Sequence, residues 1–166
     1  MTNQVTFLFS FLIAIQAAVS DVKSRKVSNR FLLVALVSGI VLRALIFCYS
    51  ILNMTHQIDN NFQKQNTLCF DEIIDCLLGL IIPFFSLLIP YFLGVFGAAD
   101  IKLLMILGLI VGRQRIKVLI VVSIFLGGII GIFTIIKKLI NGSINKRIEI
   151  PFAVAILIAD VVVFLC

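Results

Sequence analysis

The sequence predicts an all-α membrane protein, a single bundle of six transmembrane helices formed by residues 1–166. Hydrophobic residues make up 61% of the chain and charged residues only 13%, and the mean hydropathy is +1.20. Soluble domains have about 45–50% apolar and about 25% charged residues. The apolar residues are also gathered into six continuous runs. A water-soluble fold of this length would leave much of that surface exposed, so a soluble domain is excluded.

Six runs approach the length of about 20 helical residues that crosses the hydrocarbon core of a bilayer. They are apolar throughout, without the alternation of barrel strands, and therefore predict helices. The fourth and sixth runs are the short ones. The first run has no Lys or Arg before it, so we predict a retained helix and not a signal peptide. The predicted spans are Val5–Ser20, Phe31–Leu52, Ile73–Leu93, Val95–Gly112, Val118–Ile136 and Ile150–Cys166.

The distribution of Lys and Arg predicts the orientation of these spans. With six spans, the first, third and fifth connections lie on one side and carry nine Lys and Arg residues, against four on the other side. The positive-inside rule then places the odd-numbered connections in the cytoplasm and both termini outside, although the cluster Arg113–Lys117 opposes it. The polar segment 53–72, between spans two and three, becomes an extracytoplasmic loop.

The charge distribution and the positions of the cysteines and the histidine argue against nucleic acid, metal and cofactor sites. The net charge of +6 comes from short clusters between apolar runs, which is typical of membrane topology and not of a nucleic-acid-binding face. The four cysteines lack C-x-x-C spacing, and His56 is the only histidine. We therefore expect no bound metal and no cofactor.

Two aspartates lie at the predicted cytoplasmic ends of spans. Asp21 ends the first span in "SDVKSRKVSN", and Asp100 lies near the start of the fourth in "GVFGAADIKLL". A carboxylate at mid-membrane costs about 2.5–3.5 kcal/mol, so such residues usually have a function. Two carboxylates that approach closely share one proton. The ionised one activates water, and the protonated one donates to a peptide carbonyl, so the pair predicts an aspartic peptidase.

Three stretches, "DVKSRKVSN", "GAADIKLL" and "IPFAVAI", resemble in order and spacing the motifs of the type IV prepilin peptidases, membrane aspartyl proteases with a GxGD-type active site. The first stretch agrees with the family pattern at Asp21, Lys26 and Asn29, and has Val27 and Ser28 where the family has Ile and Pro. The resemblance implies that Asp21 is catalytic.

The other two stretches add further agreement and one departure. Gly97, Asp100 and Lys102 match the G-x-G-D-x-K pattern, which implies that Asp100 is the second catalytic residue. Ala99 replaces the second Gly, and its Cβ removes easy access to positive φ. Pro151 belongs to the third stretch, which resembles the family's I-P-F opening to the last span.

The resemblance also implies a substrate and a location. The enzyme would remove a short basic leader from a prepilin-like precursor, cutting just after a Gly at the cytoplasmic side of a prokaryotic inner membrane, in type IV pilus assembly or protein secretion. The cysteine-rich methylation domain of longer members has no counterpart, so a peptidase without methyltransferase activity is expected. The precursor and membrane lipid are the expected partners.

Helix ends suggest how the two acids divide their roles. An anion is disfavoured at a helix C-terminus and favoured at an N-terminus, so our hypothesis is that Asp21 is protonated and Asp100 ionised. A structural alternative for Asp21 is an ion pair with Arg25 four residues on. Arg43, deep in span two, predicts a structural ion pair with Asp75 or with Asp160.

Two rival functions remain open on the sequence alone. A small transporter would use Asp21, Asp100 and Asp160 as a proton relay across the membrane. A scaffold subunit would pair its acids with Arg43 and Lys102. The relay requires acids along a path through the bilayer, whereas the peptidase requires two acids that meet on one side.

Overall fold

A computed structural model describes residues 2–24, 27–55, 62–92, 97–140 and 152–165. Within these ranges the chain forms six α-helices and no strand, which confirms the predicted all-α fold. Each helix contains most of one predicted span, and several helices extend beyond the apolar run into polar residues. The helices are α1 (Thr2–Ser24), α2 (Asn29–Thr55), α3 (Phe62–Phe92), α4 (Ala98–Val111), α5 (Arg113–Ile140) and α6 (Phe152–Leu165).

Four of the helices contain segments that are long and apolar enough to cross a membrane, so the chain is a multi-pass membrane protein. These segments are Gln4–Lys23, Asn29–Leu52, Phe70–Phe92 and Arg113–Thr134. Helices α4 and α6 have 14 residues each. Fourteen helical residues extend about 21 Å, against about 30 Å for the hydrocarbon core.

The segment 53–72, predicted as a loop, is largely helical where the structure describes it. Helix α2 continues to Thr55, and α3 begins at Phe62, ten residues before the predicted loop ends. Residues 56–61 lie outside the described residues. The loop was predicted from its low hydropathy. Gln and Lys, which occur at the start of α3, are polar but are favourable helix formers, so low hydropathy there does not exclude a helix.

Helix α4 is the centre of the molecule and contacts all five other helices. Seven of its residues are buried, and Leu103, Leu104 and Leu107 have no exposed surface. The closest approach is to α3 at Gly79 and Gly108, where a Cβ on either residue would overlap the carbonyl oxygen of the other. Small residues permit such close helix contacts in membranes. The position of α4, and of Asp100 at its start, is therefore tightly fixed.

The outer surface of the bundle is apolar, as expected for contact with lipid. Leu33, Phe125 and Ile89 are 64%, 69% and 70% exposed, respectively. Helix α6 packs against α1 and α5. Both α1 and α6 carry fully buried alanines, among them Ala14, Ala17, Ala155 and Ala159.

Candidate active site

The two predicted catalytic aspartates lie at helix ends that meet. Asp21 lies three residues before the end of α1, and Asp100 is the third residue of α4. The two carboxyl groups are near enough for their charges to interact. Both side chains are partly exposed, although the helices behind them are packed. Two residues that are 79 positions apart in the sequence therefore lie within electrostatic range of each other.

The start of α4 fixes the Asp100 side chain. Gly97 is the N-cap residue, with extended φ and ψ of −79° and 150°. Its backbone N–H donates to Asp100 Oδ2 at 3.3 Å, and the Asp100 N–H donates to the Gly97 carbonyl at 3.1 Å. An acidic side chain in this position satisfies a free amide of the first turn and interacts favourably with the helix dipole. The local sequence Gly-Ala-Ala-Asp thus sets the direction of the carboxylate.

Ala99, which replaces the second glycine of the family pattern, lies in the first turn of α4. Its backbone is helical and does not use positive φ. Within the described residues, the glycine with positive φ is Gly112, at the other end of the helix. The loss of access to positive φ at Ala99 therefore has no conformational consequence here.

Asp21 is held by a third helix end that sequence analysis missed. Its Oδ2 atom accepts a hydrogen bond from the backbone N–H of Ala153 at 3.3 Å. Ala153 is the second residue of α6, and a helix N-terminus favours a nearby anion. Ala153 contributes its backbone N–H, and nearly every residue type has this group, so the residue type could not indicate the contact. The one available signal was its position in the "IPFAVAI" stretch.

The motif residues other than the two aspartates lie at different places in the chain, and the structure does not describe all of them. Asn29 is the first residue of α2 and is exposed, as are Gly97 and Lys102. Lys26 and Pro151 lie outside the described residues. No contact that is described joins Lys102 to either carboxylate, so the structure adds nothing to its predicted role.

The predicted partners of Arg43 are arranged differently from the expectation. Arg43 Nε donates to the backbone carbonyl of Leu109 at 2.9 Å, near the end of α4. The ion pair of Asp75 is with Arg113, whose Nε lies 3.5 Å from Asp75 Oδ1. The Arg113 backbone N–H also donates to this oxygen, at 3.2 Å. The Asp160 carboxyl group contacts Ser10, and within the described residues no ion pair joins it to Arg43.

Gly112 explains why Arg113 is the partner of Asp75. It is the single residue between α4 and α5, and its φ of 89° turns the chain sharply. A Cβ at this position would overlap the Asp75 carboxylate and would lie 3.3 Å from Arg43 Nη2. The turn therefore places Arg113 against Asp75, and Arg43 lies close to the same glycine.

A multi-pass helical membrane protein whose two aspartates converge at one end of the bundle has the arrangement of a membrane-embedded aspartic peptidase. The family model of the type IV leader peptidase family matches residues 6–132. The chain therefore belongs to the type IV leader peptidase family, which confirms the resemblance found in its motifs. The match includes Asp21 and Asp100 and ends before α6. No curated protein and no solved structure matches the chain.

Proposed function

We propose that this peptidase is an aspartic endopeptidase that removes the leader from type IV prepilin-like precursors. The observation that carries this proposal is the convergence of Asp21 and Asp100 at one end of the bundle. Each carboxyl group is also oriented by a backbone amide, from Ala153 and Gly97 respectively. Preorganised carboxyl groups on rigid helix ends are what acid–base chemistry on a peptide bond requires.

The proposed reaction is hydrolysis by a water molecule held between the two carboxyl groups. Because the carboxyl groups are close, they share one proton. The ionised carboxylate takes a proton from water as the oxygen attacks the peptide carbonyl, and the protonated carboxyl donates to the carbonyl oxygen. The C–N bond then breaks as the proton taken from water passes to the leaving amine, and the other carboxylate recovers its proton from the hydroxyl of the tetrahedral intermediate as the new carbonyl forms. This sequence needs no metal, no cofactor and no methyl donor.

The hypothesis that Asp21 is the protonated member loses its basis. It rested on the position of Asp21 at the C-terminal end of α1, which disfavours an anion. Asp21 also accepts the Ala153 N–H at the N-terminal end of α6, which favours an anion. Asp100 accepts an amide in the same way. Helix ends therefore do not distinguish the two acids, and the proposal assigns the shared proton to the pair.

The proposed location of the site is the cytoplasmic side of a prokaryotic inner membrane. The excess of Lys and Arg in the connections on the Asp21 side supports this orientation. On that side Lys23, Arg30 and Lys102 are exposed, as expected for contact with anionic lipid headgroups. A precursor whose leader meets its apolar helix at the membrane boundary would present an extended peptide bond at this depth.

A cleavage assay tests the proposed function. The protein is co-expressed with a pilin-like precursor, and leader removal is compared for wild type, Asp21→Asn and Asp100→Asn. Asp71→Asn is the matched control, because Asp71 is an exposed acid of α3 outside the pair. We expect wild type and Asp71→Asn to cleave, and the two site variants to insert into the membrane without cleaving. Cleavage by both site variants would refute the proposal.

No second function is proposed. The proton-relay alternative needs Asp160 to continue the path from Asp21 and Asp100. The Asp160 carboxyl group is instead bonded to Ser10, eleven residues before Asp21 in α1, which is about 16 Å along the helix axis. The observation that two acids converge while the third is separate favours hydrolysis.

A further inference from the structure

Asp160 is a buried acid that the proposed hydrolysis does not use. It is 2% exposed and lies in α6. Ser10 Oγ of α1 lies 2.9 Å from Asp160 Oδ2 and 3.3 Å from Oδ1. Arg115 of α5 lines the same small cavity, but within the described residues it forms no ion pair with Asp160. The acid therefore has a neutral partner in an apolar bundle.

The hydrogen atoms available at Ser10 determine the charge of Asp160. Ser10 Oγ also lies 2.9 Å from the carbonyl oxygen of Phe7 in its own helix. A hydroxyl has one hydrogen to donate, and an ionised carboxylate has none. Two full hydrogen bonds form together when Ser10 donates to Phe7 and a protonated Asp160 donates to Ser10. A neutral acid also avoids the large cost of a buried, unpaired charge.

This hydrogen bond links the same two helices that meet at the active site. Helices α1 and α6 are joined by Ser10–Asp160 and again by Asp21–Ala153. Buried alanines such as Ala14 and Ala159 lie along these helices. Smooth alanine surfaces allow close packing but fix the position of one helix along the other poorly, whereas a directional hydrogen bond fixes it well.

We propose that Asp160 is a protonated acid that, through Ser10, fixes the position of α6 along α1 and so holds the Ala153 N–H against Asp21. Asp160 and Ser10 are then positioning residues for the peptidase, and this inference rests on the proposed function. Ser10 lies within the residues matched by the family model, and α6 lies beyond them.

The test compares kcat and KM of purified variants in lipid vesicles on a pilin-like precursor. Asp160→Asn keeps a neutral donor for Ser10, and we expect its kcat within about twofold of wild type, since a neutral hydrogen bond is preserved. Asp160→Leu and Ser10→Ala remove the bond. We expect kcat to fall roughly tenfold or more at unchanged KM, because displacement of a catalytic group by 1 Å can cost about 100-fold.

Ser123→Ala is the matched control. Ser123 is fully buried, and its Oγ donates to the Ile120 carbonyl at 2.9 Å within α5, as Ser10 does to Phe7 within α1. Its described hydrogen bond stays within its own helix. We expect wild-type kcat for this variant. Thermal unfolding of each variant in detergent identifies any variant that fails to fold. If Asp160→Leu does not fold, the comparison of Ser10→Ala with Asp160→Asn decides the test.

The outcomes separate this inference from the proposed function. Wild-type kcat in Ser10→Ala, or a loss in Asp160→Asn as large as in Asp160→Leu, overturns the positioning role while cleavage by the wild type stands. Absence of cleavage by the wild type refutes the proposed function. An infrared difference spectrum between wild type and Asp160→Asn then decides the protonation directly. It should contain the carbonyl band of a carboxylic acid at neutral pH, and a carboxylate band in its place overturns the inference.

Discussion

The two ends of helix α4 are stabilised in opposite ways. At its C-terminal end, charged side chains hold the helix in place. Arg43 donates to the Leu109 carbonyl, and Asp75 forms an ion pair with Arg113. At its start, the two carboxyl groups accept hydrogen bonds from backbone amides and remain partly exposed. An amide N–H is a neutral donor, so it does not oppose protonation of a carboxyl group as the charge of an arginine does.

The difference indicates a division of labour along one helix. At the far end a Cβ on Gly112 would overlap Asp75, so the space is filled. At the near end a Cβ on Gly97 would lie 3.2 Å from Asp100 Oδ2, which is tight but does not overlap. We infer that the charged end anchors α4 and that the amide-held end carries out the chemistry. The predictions below test each end in turn.

The largest effect is expected at the reactive end. Asp21→Asn and Asp100→Asn should each lower kcat by about 10²–10⁴-fold, the range for loss of a general acid or base. The double variant should lose little more than either single variant, because the two groups act as a unit. Cleavage kinetics on a pilin-like precursor measure this. Losses that multiply in the double variant would contradict a shared proton.

The second effect tests the anchored end. Gly112→Ala should destabilise the protein by about 1–3 kcal/mol from backbone strain at positive φ, with overlap against Asp75 in addition. Thermal unfolding in detergent measures the change, and kcat per folded molecule should change far less than in the aspartate variants.

Gly128→Ala is the control for this change. Gly128 lies within α5, and a Cβ there would meet nothing within 4 Å. We expect its stability to equal or slightly exceed that of wild type, because Ala is the better helix former. Equal stability of the Gly112 and Gly128 variants would remove the argument for a filled far end.

The smallest effect is expected from the ion pair itself. The Arg113 and Asp75 side chains are 42% and 31% exposed, so Asp75→Asn should cost only about 0–1 kcal/mol. Loss of a partly exposed pair should also matter less at high salt. Unfolding of wild type and Asp75→Asn at low and high salt measures both. A loss of kcat as large as that of Asp100→Asn would place Asp75 in the chemistry and contradict the division of labour.

The helices were predictable because lipid imposes long apolar runs, and hydropathy alone located all six. The start of α3 at Phe62 was missed, since helix propensity there is carried by polar residues. Asp21 and Asp100 were predictable as residues because acids are rare near apolar spans and because their motifs are recognisable.

The contacts of the site were less predictable than its residues. The Ala153 amide could not be identified, because every residue other than proline offers the same N–H group. The partner of Asp75 depended on the conformation of one glycine, which the sequence "VGRQ" does not specify. Charge counting assigned Arg113 to topology, and only the turn at Gly112 brings it to Asp75.

The shortness of α4 has a consequence for the surrounding bilayer. Its last residue is separated from Arg113, the start of a membrane-crossing segment, by Gly112 alone. If that end is level with one face, a helix of about 21 Å leaves its first residue, Ala98, roughly 9 Å short of the opposite face and Asp100 about 12 Å short. Lipid must thin or solvent must enter around the carboxyl groups, and acyl chain length therefore becomes a determinant of turnover through hydrophobic mismatch.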